Sequence, residues 1–227
     1  MEDEVAKVAS TFQGDYLISV KLEGSDKTFM MQKALLCDAS EYFVAALNGS
    51  FREGVERTIS LPGCSAETFE LFLFWLLRNK LPHSAPDKPT EGTLARDRQL
   101  LLSRLWSFGQ ICLIPKLQND AMRALLELFH GNQVDILVVE EVVAREPIDS
   151  VLRDAVMRDV LNDYICNDHT EMQKDRLGAI PGFMSDLTGR LFDCFDIRDS
   201  DDSCTCEPRC FGVRERADVE DLWMVKE

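Results

Sequence analysis

The stretch that most limits how this chain can fold is Ser65-Ala-Glu-Thr-Phe-Glu-Leu-Phe-Leu-Phe-Trp-Leu-Leu77. Phe69, Phe72, Leu73, Leu76 and Leu77 recur at i, i+3, i+4, i+7 and i+8, the stripe of a helix with an apolar face. Leu71, Phe74 and Trp75 fall on the other side, so the helix is apolar nearly all round. Such a helix must be covered on every side, by the rest of its own chain or by a partner. Ser65 stands at the N-cap position, and Glu67 lies in the first turn, where a carboxylate suits the helix dipole.

The residues before this helix supply a sheet. Leu17, Ser19 and Lys21 interleave with Ile18, Val20 and Leu22, so Asp15–Leu22 reads as a half-buried strand. Glu23-Gly-Ser-Asp26 is a polar turn, and Lys27–Met31 its antiparallel partner. Lys33–Cys37 makes one helical turn. Asp38 or Ser40 caps a second helix running to Leu47, Asp38 and Glu41 having capping-box spacing, and Asn48-Gly-Ser ends it. Residues 51–57 read as a polar connection, Thr58–Leu61 as a short strand and Pro62-Gly63 as a turn. After the long helix, Leu81–Gly92 carries Pro82, Pro86 and Pro89 and reads as a surface loop.

Helical periodicity then returns. In Asp97–Gln110, Leu101, Leu105 and Phe108 share a face; in Pro115–Phe129, Leu117, Ala121, Leu125 and Leu128 do. Together they predict an αα-hairpin that closes the core. Val134–Glu146 and a helix from Asp149 or Ser150 to Ile165 follow, then a polar linker at Asn167–Pro181, a helix at Phe183–Phe195 and an acidic turn from Asp196. The elements predict an α+β class followed by an all-helical extension. The expected divisions are a flexible terminus at 1–13, the sheet-containing domain at 14–130, the extension at 131–196 and a cysteine-containing tail at 197–227.

A formal charge of −15 argues against general nucleic-acid binding and against an anionic membrane surface, since both are held mainly by clustered Lys and Arg. Met-Glu-Asp-Glu-Val at the start lacks the blocks of a secretory signal, and no apolar run approaches the roughly 20 residues that span a bilayer. The chain reads as intracellular, cytoplasmic or nuclear, with its eight cysteines mostly reduced. Cys204, Cys206 and Cys210, with Cys194 or His169 as a fourth ligand, could hold zinc; free thiols on a disordered tail are the other reading. For catalysis a nucleophile needs its base. His83, His130 and His169 sit in no hydrolase or metalloprotease motif, Cys37 has no basic neighbour, and Gly49 and Gly54 are turn residues rather than a phosphate loop. The chain is expected not to be an enzyme and to need no cofactor.

Taken in order, Gly14-Asp-Tyr-Leu-Ile-Ser-Val20, Phe29-Met-Met-Gln-Lys-Ala-Leu-Leu-Cys37, Ser40-Glu-Tyr-Phe43, Ala46-Leu-Asn-Gly-Ser-Phe-Arg-Glu-Gly54, Ile59-Ser-Leu61 and Thr68–Leu77 resemble the BTB/POZ domain pattern. Leu105–Asn119 is similar to that family's closing helical hairpin, and the variant most resembles fungal BTB proteins with a helical extension. The resemblance implies an α+β fold with a small mixed sheet flanked by helices, and a protein–protein interaction module, commonly a homodimer or scaffold and sometimes an adaptor of a cullin-type ubiquitin ligase. It places the family's charged pocket on Asp15 and Lys33. Gln32 stands where the family usually has His, and the adaptors' hydrophobic-x-Glu signature is not evident in Asn79-Lys-Leu-Pro-His83. Tyr42, Phe43 and Leu47, with Phe74 and Trp75 on the outer side of the long helix, are the candidate interface residues, each with a core role as its alternative.

Overall fold

Leu17–Leu22 form the central strand, β1, with Thr28–Gln32 (β2) antiparallel on one side and Thr58–Leu61 (β3) parallel on the other, in the order β2-β1-β3. The structure is a computed structural model; it describes residues 16–22, 24–48, 51–82, 92–165, 169–199 and 224–226, without the side chains of 92, 131, 165 and 192–199. Alternation decides the faces of the sheet: Ile18, Val20 and Leu22 point inward with Ile59 and Leu61, while Leu17, Ser19 and Lys21 do not.

Between β2 and β3 lie α1 (Lys33–Ala39), α2 (Glu41–Asn48) and α3 (Arg52–Glu56). Ser40, not Asp38, starts α2. Its hydroxyl accepts from the Tyr42 N–H at 3.0 Å and donates to the Cys112 carbonyl, whereas Asp38 is still inside α1 and makes no capping box with Glu41. The stretch 51–57 is a helix rather than a plain connection. Arg52 and Glu56 pair across its one turn at 2.7 Å, and Arg57 ends it at a φ of 51°.

The long helix α4 (Ala66–Arg78) begins as expected, the Ser65 hydroxyl accepting from the Thr68 N–H at 3.2 Å, and Asn79 stops it in the left-handed conformation at φ 54°. Its inward face differs from the expected stripe. Thr68, Phe69, Phe72 and Trp75 are buried, and Leu77 is exposed. In a helix apolar on both sides the cover chooses the face. Phe72 sits 5.0 Å from Phe108 and 6.5 Å from Phe43, and Phe69 sits 4.9 Å from Phe29.

Helices α5 (Gly92–Ile111) and α6 (Pro115–Gly131) form the expected hairpin, turned by Leu113 at φ 55°. A Cβ on Gly109 would meet Cγ of Gln118 at 2.9 Å, so a glycine is needed where the two helices cross. Leu117, Ala121, Leu125 and Leu128 are buried as read; on α5 the face turns slightly, with Leu102 and Trp106 buried and Leu101 only partly so.

Two compact units result: Met1–Pro82 with Arg104–Gln118, and His83–Ser103 with Asn119–Lys226, Glu227 grouping with the first. The division falls inside α5 and α6 rather than in a loop. The hairpin's tip belongs to the sheet unit and its stems to the helical one. The second unit adds α7 (Ile136–Arg145), α8 (Val151–Ile165), α9 (Glu171–Gly178) and α10 (Phe183–Asp199). Two expectations are corrected here. The supposed linker at 167–181 contains α9, started by a capping box in which the Thr170 hydroxyl accepts from the Gln173 N–H and the Gln173 carboxamide accepts from the Thr170 N–H. The last helix also runs through Asp196 to Asp199, where an acidic turn was expected.

Buried polar groups fasten this unit. Arg153 donates to Asp186 at 2.8 Å and to the carbonyls of Val143 and Glu146 at 3.0 and 2.8 Å, so one guanidinium satisfies the end of α7 and ties α8 to α10. Arg190 takes the other oxygen of Asp186 at 2.9 Å. Gln99 is buried, and its carboxamide bridges the Gln133 carbonyl and the Asp135 N–H, both at 3.0 Å, fixing the entry to α7. Asp135 in turn caps that helix through the Leu137 N–H at 2.9 Å.

Two outcomes follow from these groups. Arg153→Ala strands a buried carboxylate and two carbonyls and is expected to cost about 3 kcal/mol in urea unfolding. Asp159 is pushed up to about 7 by burial and then by Asp163. An unfolded Asp titrates near ~3.9, so between those values the folded chain holds a proton that the unfolded chain has lost. The stability this supports is complete below about pH 4 and is lost as pH rises through about 7. Asp159→Asn is expected to flatten that slope and to stabilise the protein by about 2 kcal/mol at pH 8, as read from urea curves at pH 5.5 and 8.

Candidate functional site

The sheet topology brings three side chains to one end. Because β1 is antiparallel to β2 and parallel to β3, the start of β1 lies beside the end of β2 and the start of β3. Tyr16, Lys33 and Arg57 occupy those positions. The Lys33 N–H donates to the Tyr16 carbonyl at 3.3 Å, and the Ser19 N–H donates to the Arg57 carbonyl at 2.8 Å. Lys33 Nζ also donates to the Tyr16 hydroxyl at 2.7 Å and lies 5.0 Å from the ring centroid, with the Arg57 guanidinium 4.4 Å from it. Two cations thus share one ring, each contact worth about 0.5–1 kcal/mol at an exposed site. Asp15, the expected partner of Lys33, lies outside the described residues.

The candidate interface residues divide. Tyr42 is half-buried, its ring 5.2 Å from Phe43, and burial, then Cys112 and Glu53, raises its phenol above the usual value. Phe43 and Leu47 are fully in the core. Trp75, placed on the outer side of α4 by its sequence position, is 6% exposed and stacks toward Phe72 at 6.4 Å, whereas Phe74 is 38% exposed. For Phe43, Leu47 and Trp75 the core role therefore holds.

Other apolar side chains face outward instead. Phe51, the N-cap residue of α3, is 62% exposed, Val55 one turn on is 76% exposed, and Val44 on the adjoining α2 is also exposed. On the outer face of the sheet Leu17 and Met30 are exposed and sit diagonally across the β1–β2 ladder, Met30 opposite Ser19. Phe51 and Val55 carry a legible i, i+4 spacing that the charges around them masked. A shallow open groove of about 440 Å³ lies elsewhere on this unit, lined by Leu35, Asp38, Ala39, Leu76, Ile114 and Lys116, with Lys116 bonded to Asn79 at 2.6 Å.

Among the described residues no group of three or more His, Cys, Asp or Glu is placed to hold a metal ion. Cys204, Cys206 and Cys210 lie outside those residues, Cys194 falls within α10, and His169 is buried with Nδ1 unpartnered. Burial pushes the thiols of Cys64 and Cys112 up to about 12, Cys64 adding to the effect on Cys112, so both stay protonated near neutral pH. No helix of the described residues is long and apolar enough to cross a membrane.

Residues 9–113 match the family described as the BTB/POZ domain, and the fold is that of a BTB/POZ domain, a small mixed three-stranded sheet among helices, with further helices after it. BTB/POZ domains are protein–protein interaction modules rather than an enzyme family; as a class they dimerise and bind cullins. Comparison with curated proteins gave no match.

The placement of the α4 aromatics is testable by stability. Trp75→Ala is expected to cost about 3–5 kcal/mol, and Phe74→Ala under about 1 kcal/mol, in chemical denaturation.

Proposed function

We propose that this protein is a self-association module that pairs with a second copy through the α2–α3 face of its BTB/POZ domain. The observation that carries the reading is the exposure of Phe51, the N-cap of α3, and of Val55 one turn on, together with that of Val44 on the adjoining α2. Most of the apolar area of these two side chains, one at the N-cap and one within a five-residue helix, stays uncovered by their own chain. Covering such side chains supplies roughly 25 cal/mol per Å². In a two-fold pair one patch meets its own copy, so apolar groups need no charge partner, and repulsion between two acidic chains is confined to the rim. Tyr42, half-buried on α2, is a further candidate for the same role.

Native mass spectrometry tests the idea. The expected mass is twice 25.8 kDa. The double variant Phe51→Asp, Val55→Asp is expected to be monomeric with an unchanged circular dichroism spectrum. Phe43→Asp is a poor probe, because it buries a charge in the core and unfolds the domain. A monomeric parent protein, or a double variant that still dimerises, overturns the reading.

A further inference from the structure

Met224–Lys226, a segment outside any helix or strand, is held by one side chain more than a hundred positions earlier. The Val225 N–H donates to Oδ1 of Asn119 at 2.6 Å, and Nδ2 of Asn119 donates to the Val225 carbonyl at 2.9 Å. Both bonds go to the backbone of one residue. In a helix the N–H and C=O of a residue point opposite ways; in an extended chain they point to the same side, as in the hydrogen-bonded pair of an antiparallel ladder. The Asn119 carboxamide therefore stands in for the partner residue of a β pair.

The receptor side is prepared. Asn119 is 3% exposed, on α6 among the buried Leu117, Ala121 and Met122, and so it keeps its place on a packed helix. The occupant side is shallow. Met224 and Val225 are half-buried and Lys226 is exposed. Two backbone bonds worth about 1 kcal/mol each and partial cover of two apolar side chains make a contact that another segment can replace. Nothing in the two bonds reads a side chain at the clipped position. They require only an N–H, which every residue but proline supplies.

We propose that Asn119 is the backbone-reading element of a peptide-docking site, filled by Met224–Lys226 and open to an extended segment of a partner protein when these residues are displaced. The segment that fits is apolar at the clipped position and the one before it, as Met224 and Val225 are, and has no proline at the clipped position. This is strand-style recognition by a helix-borne amide. It is independent of any pairing through α2 and α3.

The test uses the full chain and a fluorescein-labelled peptide of residues 219–227. A tethered segment competes at an effective concentration of about millimolar, so the parent chain should bind the peptide weakly. Val225→Pro in the full chain removes the donated N–H and is expected to raise peptide affinity at least tenfold. The peptide carrying Val225→Pro is expected not to bind either chain. Asn119→Leu in the Val225→Pro chain should abolish binding; if that variant misfolds, the proline peptide still decides, since it leaves the receptor intact. Equal binding of both peptides, equal affinity of the parent and Val225→Pro chains, or no binding at all overturns the proposal and leaves the contact as a fastener within the chain.

Discussion

Phe72 packs among four other aromatic rings, those of Phe43, Phe69, Trp75 and Phe108. The first unit depends on that cluster. A three-stranded sheet has one apolar face and cannot bury it alone, so a second layer must come from helices. The Phe69–Phe72–Trp75 side of α4 supplies it, and the caps at Ser65 and Asn79 set where that helix begins and ends. Phe43 then seats α2, and Phe108 brings in the tip of the hairpin. With these rings spent on the interior, the apolar side chains left outside on α2 and α3 are surplus to the fold, and that surplus makes them informative.

The second unit relies on directional polar contacts as well as apolar packing. Arg153, Gln99 and Asn119 are all buried, and each bonds main-chain groups that helix ends or loops would otherwise leave unpaired. Such groups add position more than energy, because a buried amide or guanidinium tolerates few arrangements of its partners. Helices with apolar faces alone could slide on one another; these contacts fix their ends.

Much of the sheet unit was legible because its signals are local. Alternation in Leu17–Leu22 gave the strand and its inward residues, and Ser65 gave the start of α4. The direction of α4 was not legible. A helix apolar on both sides carries no internal mark of which side is covered, so Trp75 and Phe74 could not be told apart until Phe72 and Phe108 were seen together. The α3 helix has only one turn of spacing to show, too little against its charges. The α9 helix did carry a local signal, Thr170 and Gln173 three apart, obscured by the polarity of the segment around it. The meeting of Tyr16, Lys33 and Arg57 needs the order of the strands, including a parallel pair that no short motif specifies. The Asn119–Val225 contact, across 106 positions, is purely tertiary.

The assignment of residues 104–118 to the sheet unit also shapes how the protein is born. A ribosome adding about 5–20 residues per second releases the strands and α4 a few seconds before Phe108 arrives. During that interval Phe69 and Phe72 exist without one of the rings that cover them. Until then the sheet unit lacks part of its aromatic cover, and residues 92–103 of α5 are made before that cover is complete. Slow codons or a bound chaperone in that window would change the yield of folded protein without altering any contact in the finished structure.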